Sequence, residues 1–324
     1  LKYWKKLEIK NKGIYQYGDF TSSQIKGRNK MRNIDVDLVS KLIKSQFPEW
    51  SNLEIKPVKK GGNDNKTFHL GNRMSVRLPS AEAYVPQVEK EQEWLPILAT
   101  HLSTPISEPL AKGEPSEDYP YPWSVNKWLV GEVLTMENIE DPNQFAHELG
   151  RFLVDLQSIN ASGGPLAGEH NFYRGGDIVV YDDECREAIH NNETTFNKYL
   201  LNEIWESALT SKWVGEPVWV HGDIAPGNIL IKNGSLSAVI DFGILGVGDP
   251  SCDAAMAWTF FDESSRKTFK NVLNFDEQTW NRARGWALWK ALITYDYHKQ
   301  SNKASADEQW NIINVIMKDY ETEK

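Results

Sequence analysis

The chain has 324 residues, 40% of them hydrophobic and 25% charged, enough for a large core and two lobes. Its formal net charge of −9 argues against a nucleic-acid partner, and no apolar run is long enough to suggest a membrane span. Cys185 and Cys252 stand far apart without metal-ligand spacing, which reads as two free thiols in a reducing cytoplasm.

Residues 1–30 hold 8 basic and 2 acidic side chains and show no apolar periodicity. Lys2, Lys5 and Lys6 lie near the start, but the continuous apolar segment of a signal peptide is missing. The segment is expected to be a disordered N-terminal extension outside the fold, with a genuine basic tail as the alternative. From Asp35 or Asp37, either a fair N-cap, Leu38, Val39, Leu42, Ile43 and Phe47 recur at helical spacing until Pro48. Residues 53–58 read as a strand, followed by the glycine-containing run Lys60-Gly61-Gly62-Asn63-Asp64-Asn65-Lys66-Thr67. Glycines there would let backbone approach phosphate oxygens, although a plain β-turn reads alike. Strands over 68–70 and 74–78 and a charged helix over about 88–98 come next. Residues 105–122 form a Pro-rich connection, and 123–129 read as a strand. Asp141-Pro142 then opens a helix with Phe145, Leu149, Phe152, Leu153 and Leu156 on one face. Residues 160–190 are less regular, with His170-Asn171-Phe172-Tyr173-Arg174-Gly175-Gly176 and an acidic cluster at Asp182, Asp183 and Glu184.

The most informative stretch is 218–243. An apolar run ends at His221-Gly222-Asp223, and Asn228 follows five residues after that aspartate. Residues 229–231 and 236–240 read as two strands joined at Asn233-Gly234, the strongest short hairpin signal, because both turn residues tolerate positive φ. A tight hairpin returns its outer ends to one another, so Asn228 and Asp241 are expected side by side with Asp223 one loop away. Two hard oxygen ligands and a separate carboxylate suit Mg²⁺ held together with phosphates. That is the layout of a phosphoryl-transfer site, where positioning and charge neutralisation matter more than covalent help. Asp223 would take the proton of the acceptor hydroxyl, while Asn228 and Asp241 would hold metal. The stretch resembles the kinase catalytic loop followed by a literal Asp-Phe-Gly. It looks more closely like the aminoglycoside phosphotransferase family of antibiotic and small-molecule kinases.

That resemblance implies an α+β, two-lobed protein-kinase-like fold. Residues 31–130 would form a small mixed-sheet nucleotide-binding N-lobe, and 131–324 a mainly helical lobe for catalysis and acceptor binding. It implies that the loop containing Asn65 positions the nucleotide. Arg77 would stand where the family most often carries a lysine on the phosphates; Arg grips phosphate bidentately, so the geometry differs. Glu91, or alternatively Glu89, would pair with that cation. The carbonyl of Lys127 and the amide of Leu129 would meet the purine edge at the hinge, and Asp253 would brace the catalytic loop. After Gly243 the chain reaches Asp249-Pro250 without the long activation segment and Ala-Pro-Glu of protein kinases, which points to a small-molecule acceptor.

The expected activity is therefore Mg²⁺-dependent O-phosphorylation of a small molecule with ATP or GTP as donor, in the cytoplasm, without membrane or nucleic-acid partners. Residues 131–324 carry 16 basic against 30 acidic side chains, a balance of −14 that would attract a cationic acceptor such as an aminoglycoside. A solvated acidic surface is the simpler account of the same charge. The alternatives are a macrolide kinase, in which the thirteen tryptophans would matter more than the charge, a metabolic kinase for an amino alcohol or sugar, and a non-catalytic nucleotide-binding pseudokinase. Trp286, Trp289, Leu292 and Ile293 recur at helical spacing and read as core.

Overall fold

A computed structural model describes residues 33–58 and 64–324. The expected extension over 1–30 and the glycines at 61 and 62 lie outside the described residues. In the unit that runs from Ile34 to Lys324, α1 (Val36–Gln46) starts where Asp35 caps the Leu38 N–H at 3.0 Å. Strands β1 (Ile55–Pro57), β2 (Asn65–Leu70) and β3 (Met74–Pro79) follow, then α2 (Val85–Ala99). Next come β4 (Pro109–Gly113) and β5 (Trp123–Lys127), completing a sheet of order β1-β2-β3-β5-β4. Every pairing in this sheet is antiparallel, rather than mixed. The reason is local: a three-residue turn joins β2 to β3, and the chain leaving β3 through α2 comes back along β4 before β5 pairs with β3. Strand β4 sits inside the Pro-rich stretch read as a plain connection, which is permissible because it forms the sheet edge, where proline costs no ladder bond. Val39, Leu42 and Ile43 of α1 pack with Phe68, Val76, Trp123 and Val125 as one apolar cluster.

Beyond β5 the short β6 (Glu132–Val133) leads to α3 (Pro142–Ser158), capped by Asp141 with proline at its first position. Helices α4 (Asp182–Asn191) and α5 (Lys198–Thr210) precede β7 (Val218–Val220), β8 (Ile229–Lys232), β9 (Ser235–Val239) and β10 (Gly246–Gly248). The chain closes with α6 (Met256–Thr259), α7 (Glu263–Leu273), α8 (Glu277–His298) and α9 (Lys303–Glu323). A second apolar cluster takes in Leu149 and Leu153 of α3, Trp205 of α5, Phe269 of α7, Leu288 of α8 and Ile313 of α9. The hairpin β8–β9 turns at Asn233 (φ 53°) and Gly234 (φ 80°), both left-handed as a tight antiparallel turn requires. Strand β10 pairs with β7, a contact no local pattern announces. No helix among the described residues is long and apolar enough to cross a membrane.

Candidate active site

The closing of the β8–β9 hairpin builds the first half of the site. The Ile240 N–H donates to the Asn228 carbonyl at 2.9 Å, which fixes Asp241 next to Asn228. Asn228 Nδ2 in turn donates to the backbone carbonyl and to Oδ2 of Asp223, both at 2.9 Å. With the amide nitrogen committed in this way, the network assigns Asn228 Oδ1 to the other side, as an available oxygen ligand. Asp241 has φ 66°, a left-handed conformation that aspartate tolerates better than most residues and that is found at strained functional positions.

The second half comes from β3 and α2. Arg77 Nη1 lies 3.1 Å from each carboxylate oxygen of Glu91, and Arg77 Nη2 lies 3.3 Å from Asp241 Oδ1. One guanidinium thus joins the sheet, the helix and the end of the hairpin. Burial pushes the Glu91 carboxyl up, with Arg77 the main opposing influence. Arg77 itself is held even more basic than usual, because Glu91 and Asp241 outweigh its desolvation. Of the two glutamates considered for this pairing, Glu89 instead meets Lys112 at 2.6 Å.

The aspartate loop between β7 and β8 is held from beneath. Asp253, fully buried, accepts from the His221 and Gly222 N–H groups at 2.7 Å each, through different oxygens. His221 Nε2 lies 3.0 Å from the Ile240 carbonyl, and its Nδ1 accepts from the Asp223 N–H at 3.1 Å. Both contacts are satisfied by the tautomer with hydrogen on Nε2. Gly222 has φ 86°, and a Cβ there would lie 2.8 Å from the Ile244 carbonyl oxygen, so the turn into Asp223 demands glycine. Burial raises the Asp253 pKa, while His221 and the two N–H donors pull it back. Asp253→Asn should cost about 1–3 kcal/mol, because the carboxamide supplies one acceptor oxygen where two donors wait. Urea unfolding of the variant checks this, and an unchanged midpoint would mean that the two contacts contribute nothing.

The remaining expected residues are more dispersed. Asn65 opens β2 and is buried beside Asp64, whose carboxylate accepts from Gln87 Nε2 at 3.2 Å. Lys127 ends β5, two residues short of the expected strand boundary, with its N–H spent on the Glu108 carbonyl at 2.9 Å. The Trp128 N–H goes to the Arg73 carbonyl at 2.7 Å. The Leu129 N–H has no backbone acceptor among the described residues.

Three neighbours escaped the sequence reading. Lys90, next to Glu91 on α2, reaches the Leu245 carbonyl and His170 Nδ1, each at 3.1 Å, and burial lowers its pKa to about 8. Arg174 packs against Gly222, and Lys290 of α8 lies within electrostatic reach of Asp223. Helical spacing from Trp286 marks Lys290 as sharing a helix face with it, the one signal that could have drawn attention to it. Two of the three members of the acidic cluster, by contrast, are already engaged. Asp182 accepts from Arg186 and Trp205 at 2.7 Å each, and Glu184 accepts from Trp289 Nε1 at 2.7 Å.

No three His, Cys, Asp or Glu side chains among the described residues converge as a self-sufficient metal site. Mg²⁺ does not need one, since it keeps waters and takes phosphate oxygens beside one or two protein ligands. Asn228 Oδ1 and the half-exposed Asp241 carboxylate are hard oxygen donors that fit this requirement.

A model described as the phosphotransferase enzyme family matches residues 54–286. No curated sequence matches the chain. Among solved structures, the GDP complex of wild-type aminoglycoside 2'-phosphotransferase-IIIa is similar, with a TM-score of 0.66 and 15% identity. That similarity covers 87% of this chain and 98% of the other. A gentamicin complex of APH(2")-IIa is similar with a TM-score of 0.57 and 19% identity over 89% of this chain and 99% of that one. The macrolide 2'-phosphotransferase MphH from Brachybacterium faecium follows with a TM-score of 0.55 and 18% identity, over 86% and 98%.

Proposed function

Since the chain belongs to the phosphotransferase enzyme family, we propose that it moves the γ-phosphoryl group of ATP or GTP onto a hydroxyl of a small molecule. One observation carries this reading: Asn228 holds the Asp223 carboxylate at 2.9 Å while the same hairpin delivers Asp241 to Arg77. In this reading Asp223 orients the acceptor hydroxyl and takes its proton as the oxygen attacks phosphorus. Arg77, positioned by Glu91, meets the donor phosphates, and Asn65 and the loop before it shape their seat. The Lys127 carbonyl and the Leu129 amide meet the purine. Asn228 and Asp241 would hold Mg²⁺, which when bound offsets charge on the phosphates. Residues 31–130 form the nucleotide side and 131–324 the acceptor side.

For the acceptor, an aminoglycoside-type antibiotic is supported by the balance of −14 over residues 131–324 and by the aminoglycosides named with the similar structures. That makes the chain a cytoplasmic resistance kinase. A macrolide-type acceptor is the second reading, favoured by the macrolide 2'-phosphotransferase among the similar structures. The test is to express the chain in a susceptible bacterium, measure inhibitory concentrations across antibiotic classes, and look for a phosphorylated product by mass. No product from any class, with ATP and with GTP, would sink the resistance reading.

A further inference from the structure

Helix α2 turns one face toward the chain that follows Asp241. Gln87, Lys90 and Glu91 share that face at helical spacing, and each reaches a different point of it. Glu91 holds Arg77, which contacts Asp241 at 3.3 Å. A Cβ built on Gly243 would lie 2.8 Å from both Cδ and Oε1 of Gln87, so this buried side chain rests on the glycine. Lys90 Nζ donates to the Leu245 carbonyl at 3.1 Å. Positions 241, 243 and 245 are thus met in turn by one helix face.

Lys90 also has a partner in the loop before residue 171. His170 Nδ1 lies 3.1 Å from Lys90 Nζ, and His170 Nε2 lies 2.8 Å from the Leu166 carbonyl. An ammonium can only donate, so Nδ1 accepts and the hydrogen on Nε2 goes to Leu166. The same loop is joined to the chain beyond Leu245. The Val247 N–H donates to the Pro165 carbonyl at 2.8 Å, and the Ala167 N–H to the Val247 carbonyl at 3.2 Å. Lys90 therefore fastens α2 to a unit made of residues 165–171 and 245–247. That unit continues into the aspartate loop, since a Cβ on Gly222 would lie 2.8 Å from the Ile244 carbonyl oxygen.

The direct tie between Arg77 and Asp241 competes with the ligands each residue is assigned above, donor phosphates for one and a metal for the other. The contacts of Lys90 use neither residue and persist when nucleotide is bound. We propose that Lys90 is a positioning residue for the phosphoryl donor: held on the Leu245 carbonyl and on His170, it keeps α2, and with it Glu91 and Arg77, in register with Asp241 and the aspartate loop. The phosphotransfer reading enters only by giving Arg77 to the phosphates and Asp241 to the metal.

Burial lowers the Lys90 pKa to about 8, with Glu91 beside it pulling the other way. The loop over 164–171 adds His170 and the exposed Glu169, and residues 242–248 carry no ionisable side chain. Below that pKa the ammonium makes charge-assisted bonds, and as pH rises through it they weaken to those of a neutral amine.

The test titrates the full chain calorimetrically with Mg²⁺ and either ADP or GDP, with no acceptor present. Lys90→Met should bind nucleotide about 3- to 10-fold more weakly, the scale of one net hydrogen bond. Lys90→Arg keeps a charge and several donors and should retain most of the affinity. Raising the pH through about 8 should weaken binding to the parent and leave Lys90→Arg unchanged, because a guanidinium stays charged. A lysine that only stabilises the fold would not produce that difference between two folded proteins. If Lys90→Met does not fold, the comparison of the parent with Lys90→Arg carries the test. Parent-like binding by Lys90→Met would overturn the proposal, as would identical pH profiles for the parent and Lys90→Arg. Phosphoryl transfer with a nucleotide affinity indifferent to Lys90 defeats this inference alone. A Lys90-dependent affinity without transfer to any acceptor defeats the phosphotransfer reading alone, and failure of the parent to bind either nucleotide defeats both.

Discussion

Asp223→Asn should lower turnover by roughly 10²- to 10⁴-fold, the usual contribution of a positioned acid–base group, while Mg²⁺-nucleotide still binds. The substitution is discriminating because the local geometry can survive it. Asn228 Nδ2 donates to Asp223 Oδ2 and to the backbone carbonyl, and a carboxamide oxygen can take over the side-chain contact. The Asp223 N–H bond to His221 Nδ1 and the two N–H donors resting on the Asp253 carboxylate do not use the Asp223 side chain. What disappears is the negative charge that would accept the hydroxyl proton. Steady-state turnover and nucleotide affinity, measured on protein with an unchanged melting temperature, separate the two effects. Near-full activity in a correctly folded variant would remove Asp223 from the reaction.

The second large effect is expected at Arg77. In Arg77→Met the Glu91 carboxylate, whose side chain is only 5% exposed, loses its cation and keeps its burial. Breaking a buried pair from one side typically destabilises by about 3–5 kcal/mol, since an uncompensated charge remains. Urea unfolding should show that loss, and Glu91→Gln added to Arg77→Met should recover part of it by removing the stranded charge. Arg77→Lys should fall between, as one ammonium cannot reproduce contacts to Glu91 and Asp241 made by two guanidinium nitrogens. A methionine variant as stable as the parent would show that the pair is not a structural keystone. Nucleotide affinity should fall in the same variant, because Asp241 would lose the contact that orients it.

Much of this site was legible because its parts are short-range. The Asn233-Gly234 turn dictates a hairpin, a hairpin brings its ends together, and so Asn228 and Asp241 follow from about fourteen residues of chain. The spacing from Asp223 to Asn228 works the same way, since five residues suffice for the side chain of one to reach the carboxylate of the other. The Asp35 and Asp141 caps were equally local, each aspartate accepting from an N–H two or three residues ahead.

Other features depended on what the chain meets at a distance. A stretch rich in proline carries no period that betrays β4; its strand character comes from lying against β5. Glu89 and Glu91 are indistinguishable as letters on a charged helix, and only the packing of α2 on β3 sends one to Arg77 and the other to Lys112. In the sequence the acidic cluster is charge without partners, and only the packing of α5 and α8 on α4 gives Asp182 and Glu184 their indole N–H donors. Net charge adds over a whole region and carries no record of position. It therefore could not show that Arg174 packs against Gly222 or that Lys290 lies within electrostatic reach of Asp223. The sequence by itself determined the hairpin, the aspartate loop and the chemistry these can perform, because hydrogen bonds between near neighbours decide them. Which cation meets which carboxylate was decided by the tertiary structure, because those contacts join segments up to 164 residues apart, where only packing sets the distance.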